Sequence, residues 1–412
     1  MRVSTITMFE QSTASINRQQ SSFLKVSQQI ASTKRVVNPS DDPQAAARAI
    51  GVDQSKAMTK QFADARVAAR NSLAQTESVV NSISDAVMSA KSLLVRASSD
   101  TFSDTDRESF ASELKGIYET MLGQANATDG NGRYLFGGYK DNSPPFVKSA
   151  DGSVGYVGDT SARQQRVDSS RLMPVTETGA TIFQSVSQGA GYIAEAQDNQ
   201  GSVTFSGPRA SDMNHANYGE SFKVVFGEEG GEHTYSVQRF DGTGYVDFDP
   251  ALTDQPYSGD GQQVAFGGVS LTLSGAPVAG DEFLVTRAGS DERPADLFKT
   301  MEQAIQALET PAVTDADKAN LRNTLNTAMR DLDNGLDNVL MVRASAGARL
   351  EELNVIDAVG SNRMINYEQT LSDLVDLDLV AAISEYSLRQ IGLQAAQKTF
   401  MDLKGMSLFD YM

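Results

Sequence analysis

Residues 36–45 read VVNPSDDPQA, two adjacent aspartates held between two prolines. What this corner separates decides how the rest of the chain is built. A helix that begins after PSDDPQ leaves its first backbone N–H groups without intrahelical acceptors. Asp42, directly before Pro43, fits the N-cap; proline fits the first helical position because its φ is already helical and it has no N–H to satisfy; and acids there favour the helix dipole. The same pair of carboxylates could serve acid–base chemistry only alongside a second constellation of partners, and the chain offers none. The corner therefore reads as a boundary with a helix on each side, capped by Asp42 and opened by Pro43.

Upstream of it, Phe9, Ile16, Phe23, Ile30 and Val37 recur every seven residues, with Ser12, Gln19, Val26 and Thr33 at the intermediate positions. This is a narrow coiled-coil seam, half apolar and half polar, too weak to hold a helix in water alone. Residues 1–36 carry Arg2, Arg18, Lys25, Lys34 and Arg35 against the single acid Glu10, so the segment is basic and seeks a partner. Downstream, Leu73, Thr76, Val80, Ile83, Val87, Ala90, Leu94 and Ala97 alternate steps of three and four without a breaker. The spacing predicts one helix from 43 to 98, roughly 80 Å at about 1.5 Å per residue. Thr105 with Glu108 predicts a capping box for a third helix bearing Phe110, Leu114, Ile117 and Met121.

Glycine and proline divide what remains. Of the 33 glycines, 25 lie between Gly130 and Gly289, and no proline follows Pro311. Turn chemistry is thus concentrated in the middle, where SFKVVF, TYSVQRF, YVDF, VSLTLSG and EFLVT read as short antiparallel strands. Residues 145–290 hold 18 acids against 8 basic residues, which puts most of the excess negative charge on this part. A helix opening at Pro294 with Leu297, Met301, Ile305 and Leu308 follows. Another is expected from Thr314 without a clear stop before Gly405. Its tail carries two apolar seams, one through Leu374, Leu377, Ala381, Leu388, Ile391 and Ala395, the other through Leu379, Ile383, Tyr386, Leu393, Phe400 and Leu403. A helix apolar on two sides needs two neighbours. The tail is acidic and the N-terminal segment basic, so the two ends suit each other and leave a seam over for another molecule.

The expected fold is α+β and elongated, with long N- and C-terminal helices in an antiparallel bundle or coiled coil around a central antiparallel β-rich domain. Five segments follow: an N-terminal coiled-coil segment 1–42, helical-bundle parts 43–140 and 291–370, a β-rich outer domain 141–290, and a C-terminal coiled-coil segment 371–412. Phe9, Ile16, Phe23, Ile30, Leu377, Leu388, Ile391, Leu393 and Phe400 are the candidate assembly interface.

Composition narrows the function. A formal net charge of −18 argues against nucleic acid, because phosphates need a basic face. Cysteine is absent and the two histidines, His215 and His233, belong to no zinc motif, so neither thiol nor zinc chemistry is expected. The glycine-rich DGNGRYLFGGYKDNSPPF, 129–146, lacks the G-K-[ST] ending of a phosphate loop and reads as a turn with an aromatic plug. The acids of DLVDLDLV lack calcium-loop spacing and read as a solvated helix face. No cofactor, metal or catalytic residue is proposed, and neither a membrane-spanning run nor a cleaved signal peptide is read.

ASTKRVVNPSDDPQAAARAI, 31–50, resembles the N-terminal signature shared by bacterial flagellins and hook-associated proteins, and LQAAQKTFMDLKGMSLFDYM, 393–412, is similar to their C-terminal one. GRYLFGGYKDNSPPF and VSLTLSGAPVAGDEFLV move the resemblance towards the members at the junction of hook and filament. It implies a structural adaptor subunit, exported unfolded and uncleaved by the flagellar type III system to the extracellular flagellum. It also implies a ring of copies between hook-associated protein 1 and flagellin, an export chaperone, no nucleic acid and no membrane insertion. Both ends would be disordered in the monomer and fold as an inner coiled-coil tube on assembly. A filament flagellin is the alternative within the family. A secreted enzyme on coiled-coil arms and a coiled-coil adhesin or phage-tail component are the alternatives outside it.

Overall fold

Thr33 takes a left-handed φ of 57° and ends the first helix, α1 (Thr5–Ser32), so the heptad pattern does not run on to Val37 as its spacing predicts. The computed structural model describes residues 5–99, 102–150 and 152–405. The long helix after the corner, α2, spans Pro43–Ala97, and every residue of its second seam from Leu73 to Ala97 is buried. Helix α3 (Asp104–Ala125) starts earlier than expected. Ser103, extended, accepts from Asp106 N–H while the Asp106 carboxylate accepts from Ser103 N–H, so the box is Ser103/Asp106 and not Thr105/Glu108.

Among the described residues, thirteen strands and a short α-helix follow: β1 (Phe146–Lys148), β2 (Val154–Tyr156), β3 (Gln164–Asp168), β4 (Arg171–Pro174), α4 (Gly179–Phe183), β5 (Tyr192–Ala196), β6 (Thr204–Ala210), β7 (Phe222–Glu229), β8 (Glu232–Phe240), β9 (Tyr245–Asp247), β10 (Gln255–Pro256), β11 (Gln262–Phe266), β12 (Val269–Ser274) and β13 (Glu282–Arg287). A six-stranded sheet has the order β10-β8-β7-β13-β5 with β9 also on β8; a three-stranded sheet has the order β11-β12-β6; β1–β2 and β3–β4 are separate hairpins. All pairs are antiparallel.

Helix α5 spans Leu297–Glu309, three residues beyond the expected start at Pro294. Asp296 is its cap, accepting from the N–H groups of Phe298 and Lys299. The predicted unbroken helix to Gly405 is in fact two, α6 (Asp315–Val375) and α7 (Leu379–Gly405). Asp378 interrupts it: its carboxylate accepts from Val380 and Ala381 N–H, which makes it the N-cap of a new helix. Of the DLVDLDLV acids, Asp373 is exposed on α6 as a solvated helix face, whereas Asp376 lies in the break and Asp378 is the cap.

The chain divides into two compact units, Met1–Arg66 with Asn354–Met412, and Val67–Leu353. These borders fall inside α2 and α6, whereas the segments expected from sequence meet at 42/43 and 370/371. Residues 1–4 and 406–412 of those end segments lie outside the described residues.

In the Val67–Leu353 unit, α2 and α6 run antiparallel, pinned by Lys91–Asp333 and Glu77–Arg343. Leu73, Ile83 and Leu94 of α2, Leu114 and Met121 of α3, Leu297, Phe298 and Met301 of α5 and Leu325 and Leu332 of α6 are buried. At about 1.5–3 kcal/mol for each fully buried large side chain, this core dominates the unit's stability. Leu135 and Phe136 of GRYLFGGY are buried in it, and Phe146, Phe183 and Phe298 meet with centroids 5.1 Å apart. The glycines after the plug are needed for it: Gly138 has φ +63°, and a Cβ there would lie 2.7 Å from Asp159 O.

A second core is made by Phe222, Val224 and Phe226 of β7, Phe283 and Val285 of β13, Leu271 and Leu273 of β12 and Phe205 of β6. Helix α6 holds this lobe through hydrogen bonds from polar side chains, among them the buried Asn323 and Thr327. Asn323 donates to Val203 O and accepts from Phe205 N–H, Asn326 donates to Phe205 O, and Thr327 donates to Ala194 O. The polar residues thus complete the edge strands β5 and β6. Beside them Arg293 binds Glu195 and holds Asp331 with two parallel bonds of 2.8 and 2.6 Å. Burial works against the Arg293 charge, yet Asp331 and Glu195 more than offset it and keep the guanidinium above its ordinary pKa.

Candidate assembly surface

In the unit formed by the two chain ends, each aspartate of VVNPSDDPQA has a separate task. Asp42 accepts Ala45 N–H at 3.0 Å and pairs with Arg35 at 3.1 Å, and these contacts, the backbone donor first, hold its carboxyl below the usual carboxylate range. Pro43 is the first residue of α2. Asp41 accepts Asn38 N–H at 2.9 Å and pairs with Lys25 of α1 at 3.0 Å, and it is lowered by the same two effects in that order. Both carboxylates are consumed in fixing the corner.

The break between α6 and α7 lies against the same corner. Arg35 N–H donates to Val375 O at 2.7 Å, Leu377 N–H donates to Thr33 O at 3.0 Å, and Lys34 and Asp376 form an antiparallel bridge. Leu377, expected as a seam residue on a helix, is thus half-buried in extended chain.

Beyond it, α7 runs back along α1. Phe9 meets Phe400 and Phe23 meets Tyr386, each with centroids 4.9 Å apart, and the descending numbers make the pair antiparallel. On α1, Val26 is buried and Ser12, Ile16, Gln19, Phe23 and Ile30 are half-buried, the steps of three and four that the heptad predicts. On α7, Ala382 is buried and Tyr386, Arg389, Leu393, Ala396 and Phe400 are half-buried.

Apart from Leu377, the candidate residues therefore separate into two groups. Phe9, Ile16, Phe23, Ile30, Leu393 and Phe400 belong to the face on which α1 and α7 pair. Leu388 and Ile391 lie on the opposite side of α7, 68% and 64% exposed. Sequence reasoning missed Val380, 78% exposed, which extends this outer row, and Met401 on its flank. Both could have been found by asking which apolar residues fall outside the 382-386-389-393-396-400 repeat. The Leu403 side chain lies outside the described residues.

Near the end of this unit's helix pair, Lys56 pairs with Glu368 at 3.1 Å and Arg66, 3% exposed, pairs with Asp357. Gly360 makes room for the latter, since a Cβ there would lie 2.7 Å from the Arg66 guanidinium. The unit is thus tied largely by charge and by a thin apolar face, while an apolar row stands open.

The chain is similar to known proteins. Residues 3–141 match the family model of the bacterial flagellin N-terminal helical region. Flagellar hook-associated protein 3 of Escherichia coli (strain K12) is 33% identical over 410 residues, 99% of each chain. The chain belongs to the flagellar hook-associated protein 3 family. The protein of the same name from Salmonella typhimurium strain LT2 is 31% identical over 410 residues, again 99% of each. The crystal structure of Xanthomonas campestris FlgL is similar with a TM-score of 0.66 at 29% identity, covering 78% of this chain and 99% of that one. A hook-associated protein 3 structure from Legionella pneumophila has the same fold, with a TM-score of 0.70 at 24% identity over 78% of this chain and 98% of that one. With the family comes a place in the bacterial flagellum.

Proposed function

We propose that this chain joins hook-associated protein 1 on one side to flagellin on the other, as one of a ring of identical subunits, and that the unit made by its two ends is the surface assembly completes. The observation that carries this reading is α7. It is apolar on two sides, α1 covers one, and Val380, Leu388 and Ile391 stand uncovered on the other. A helix of this kind gains burial only from neighbouring molecules. Head-to-tail packing in a ring or tube needs two different surfaces, and the α1 side and the free α7 side supply them.

The segments 1–42 and 371–412 remain open in the free subunit and order when neighbours offset the entropy of folding. Before assembly an export chaperone shields the apolar row, and the chain leaves the cell uncleaved through the flagellar export apparatus. The role is structural and non-enzymatic. Deleting the gene tests the reading: cells should keep intact hooks while flagellin escapes into the medium, and normal filaments on such cells would overturn it.

A further inference from the structure

We infer that Arg35 is a positioning residue that makes the ordering of α1 and of α7 a single event. The two helices are separated by most of the chain, yet the ends of α1, α2 and α6 meet at this one residue, and the cap of α7 follows three residues after its last partner. Its Nη2 donates to Leu374 O at 2.6 Å in the last turn of α6. Its Nη1 donates to Asp42, the cap of α2, at 3.1 Å. Its own carbonyl accepts from the Gln29 side chain in the last turn of α1 at 2.6 Å. Its N–H donates to Val375 O, three residues before the cap of α7.

The electrostatics are consistent at the ends of α6 and α2. A helix C-terminus carries partial negative charge and takes the guanidinium; a helix N-terminus carries partial positive charge and takes Asp42; the two charges then pair with each other. A guanidinium reaches both acceptors at once because its donors form a rigid fork, whereas a lysine is a single point charge. Asp378 can cap α7 at this position only while 375–377 lie along 33–35, and that alignment also fixes where α1 ends. Loss of either helix therefore removes the frame of the other. The inference goes beyond the assembly reading and holds whether the ends order before assembly or during it.

The test uses the full chain and amide hydrogen exchange of peptides from α1 and α7. Trimethylamine N-oxide, which favours burial, drives open ends closed, and urea opens closed ones, so whichever the wild type requires gives a midpoint. Wild type should show one shared midpoint for α1 and α7. Arg35→Ala should move both together, lowering the closing equilibrium by roughly two- to tenfold, the loss of one exposed ion pair and one charge-assisted bond. Arg35→Lys should restore part of that loss, and Arg18→Ala, which removes an equal charge from α1, should leave the midpoints in place. Separate midpoints in wild type, a shift of α1 alone in Arg35→Ala, or an equal shift in Arg18→Ala would each overturn the inference.

Discussion

Phe23 of α1 and Tyr386 of α7 face each other with ring centroids 4.9 Å apart and planes inclined by 36°, while Ile391, five residues further along α7, stands 64% exposed. Residues read from sequence as one interface thus have different surroundings. Phe23→Asp should abolish the α1–α7 pairing, because a carboxylate cannot be desolvated against a ring without a partner. Ile391→Asp should leave that pairing intact and block only attachment to neighbours. Cysteines at positions 9 and 400 report the pairing by oxidative cross-linking of the free subunit in trimethylamine N-oxide, which closes its ends without neighbours, and swimming of a complemented deletion strain reports attachment. Ile391→Asp should cross-link yet fail to swim; Phe23→Asp should do neither. Normal motility of Ile391→Asp would remove the outer row from the assembly surface.

The helices were legible in the sequence to the extent that apolar periodicity made them. The seam from Leu73 to Ala97 is buried residue for residue, and the α1 heptad gives the face that α7 covers. Periodicity did not reveal the break after Val375, because leucines at 374, 377 and 379 keep apolar content through it. The decisive signal was polar, Asp378 followed by a run free of further acids until Glu385. The same blindness hid the α6 contact with the β lobe. Asn320, Asn323, Asn326, Arg330, Asn334 and Asn338 recur at steps of three and four, which is helical spacing for a polar face that elsewhere would be solvated. Five of the central strands were readable from alternation, whereas β1 to β6, β10 and β11 are short or carry glycine, proline and glutamine. Their pairing is set by tertiary contacts rather than by local propensity.

That polar face predicts a selective loss. Asn323→Leu keeps the side chain's bulk but strands Val203 O and Phe205 N–H, both now paired with the amide at 2.8 and 3.1 Å. At about 1–3 kcal/mol for each orphaned group, the change should outweigh any gain from the added apolar surface. Urea unfolding followed by hydrogen exchange should show the loss concentrated in β5 and β6, with α3 and α5 unaffected. Uniform protection at wild-type levels would deny the Asn row a structural role.

The buried charges make a second, larger prediction. Arg293 and Asp331 expose 12% and 9% of their side chains and are joined by two hydrogen bonds. Arg293→Met leaves the buried Asp331, with the half-buried Glu195 beside it, without the Arg293 counter-charge, at a cost of about 3–5 kcal/mol. Adding Asp331→Leu should recover much of it, since the most buried unpaired carboxylate is then gone. Urea midpoints of the single and double variants measure this, and a double variant less stable than Arg293→Met would contradict the account.

The corner should respond to acid. Asp41 and Asp42 are held below the ordinary carboxylate range, Asp41 by Asn38 N–H and Lys25, Asp42 by Ala45 N–H and Arg35. A carboxyl whose folded pKa lies below its unfolded value stabilises the fold fully above the unfolded pKa, near 3.8, and loses that contribution as pH falls through the folded value. Lowering the pH from 5 towards 2 should therefore loosen the α1–α2 corner only in the lower part of that interval. The Asp41 and Asp42 carboxyl resonances would report it by NMR under conditions in which the corner is ordered. Asp42→Asn should blunt the response, because asparagine still caps a helix but carries no charge to lose. A corner that opens already between pH 6 and 5, or an Asp42→Asn variant with the full wild-type acid response, would mean that other groups hold it closed.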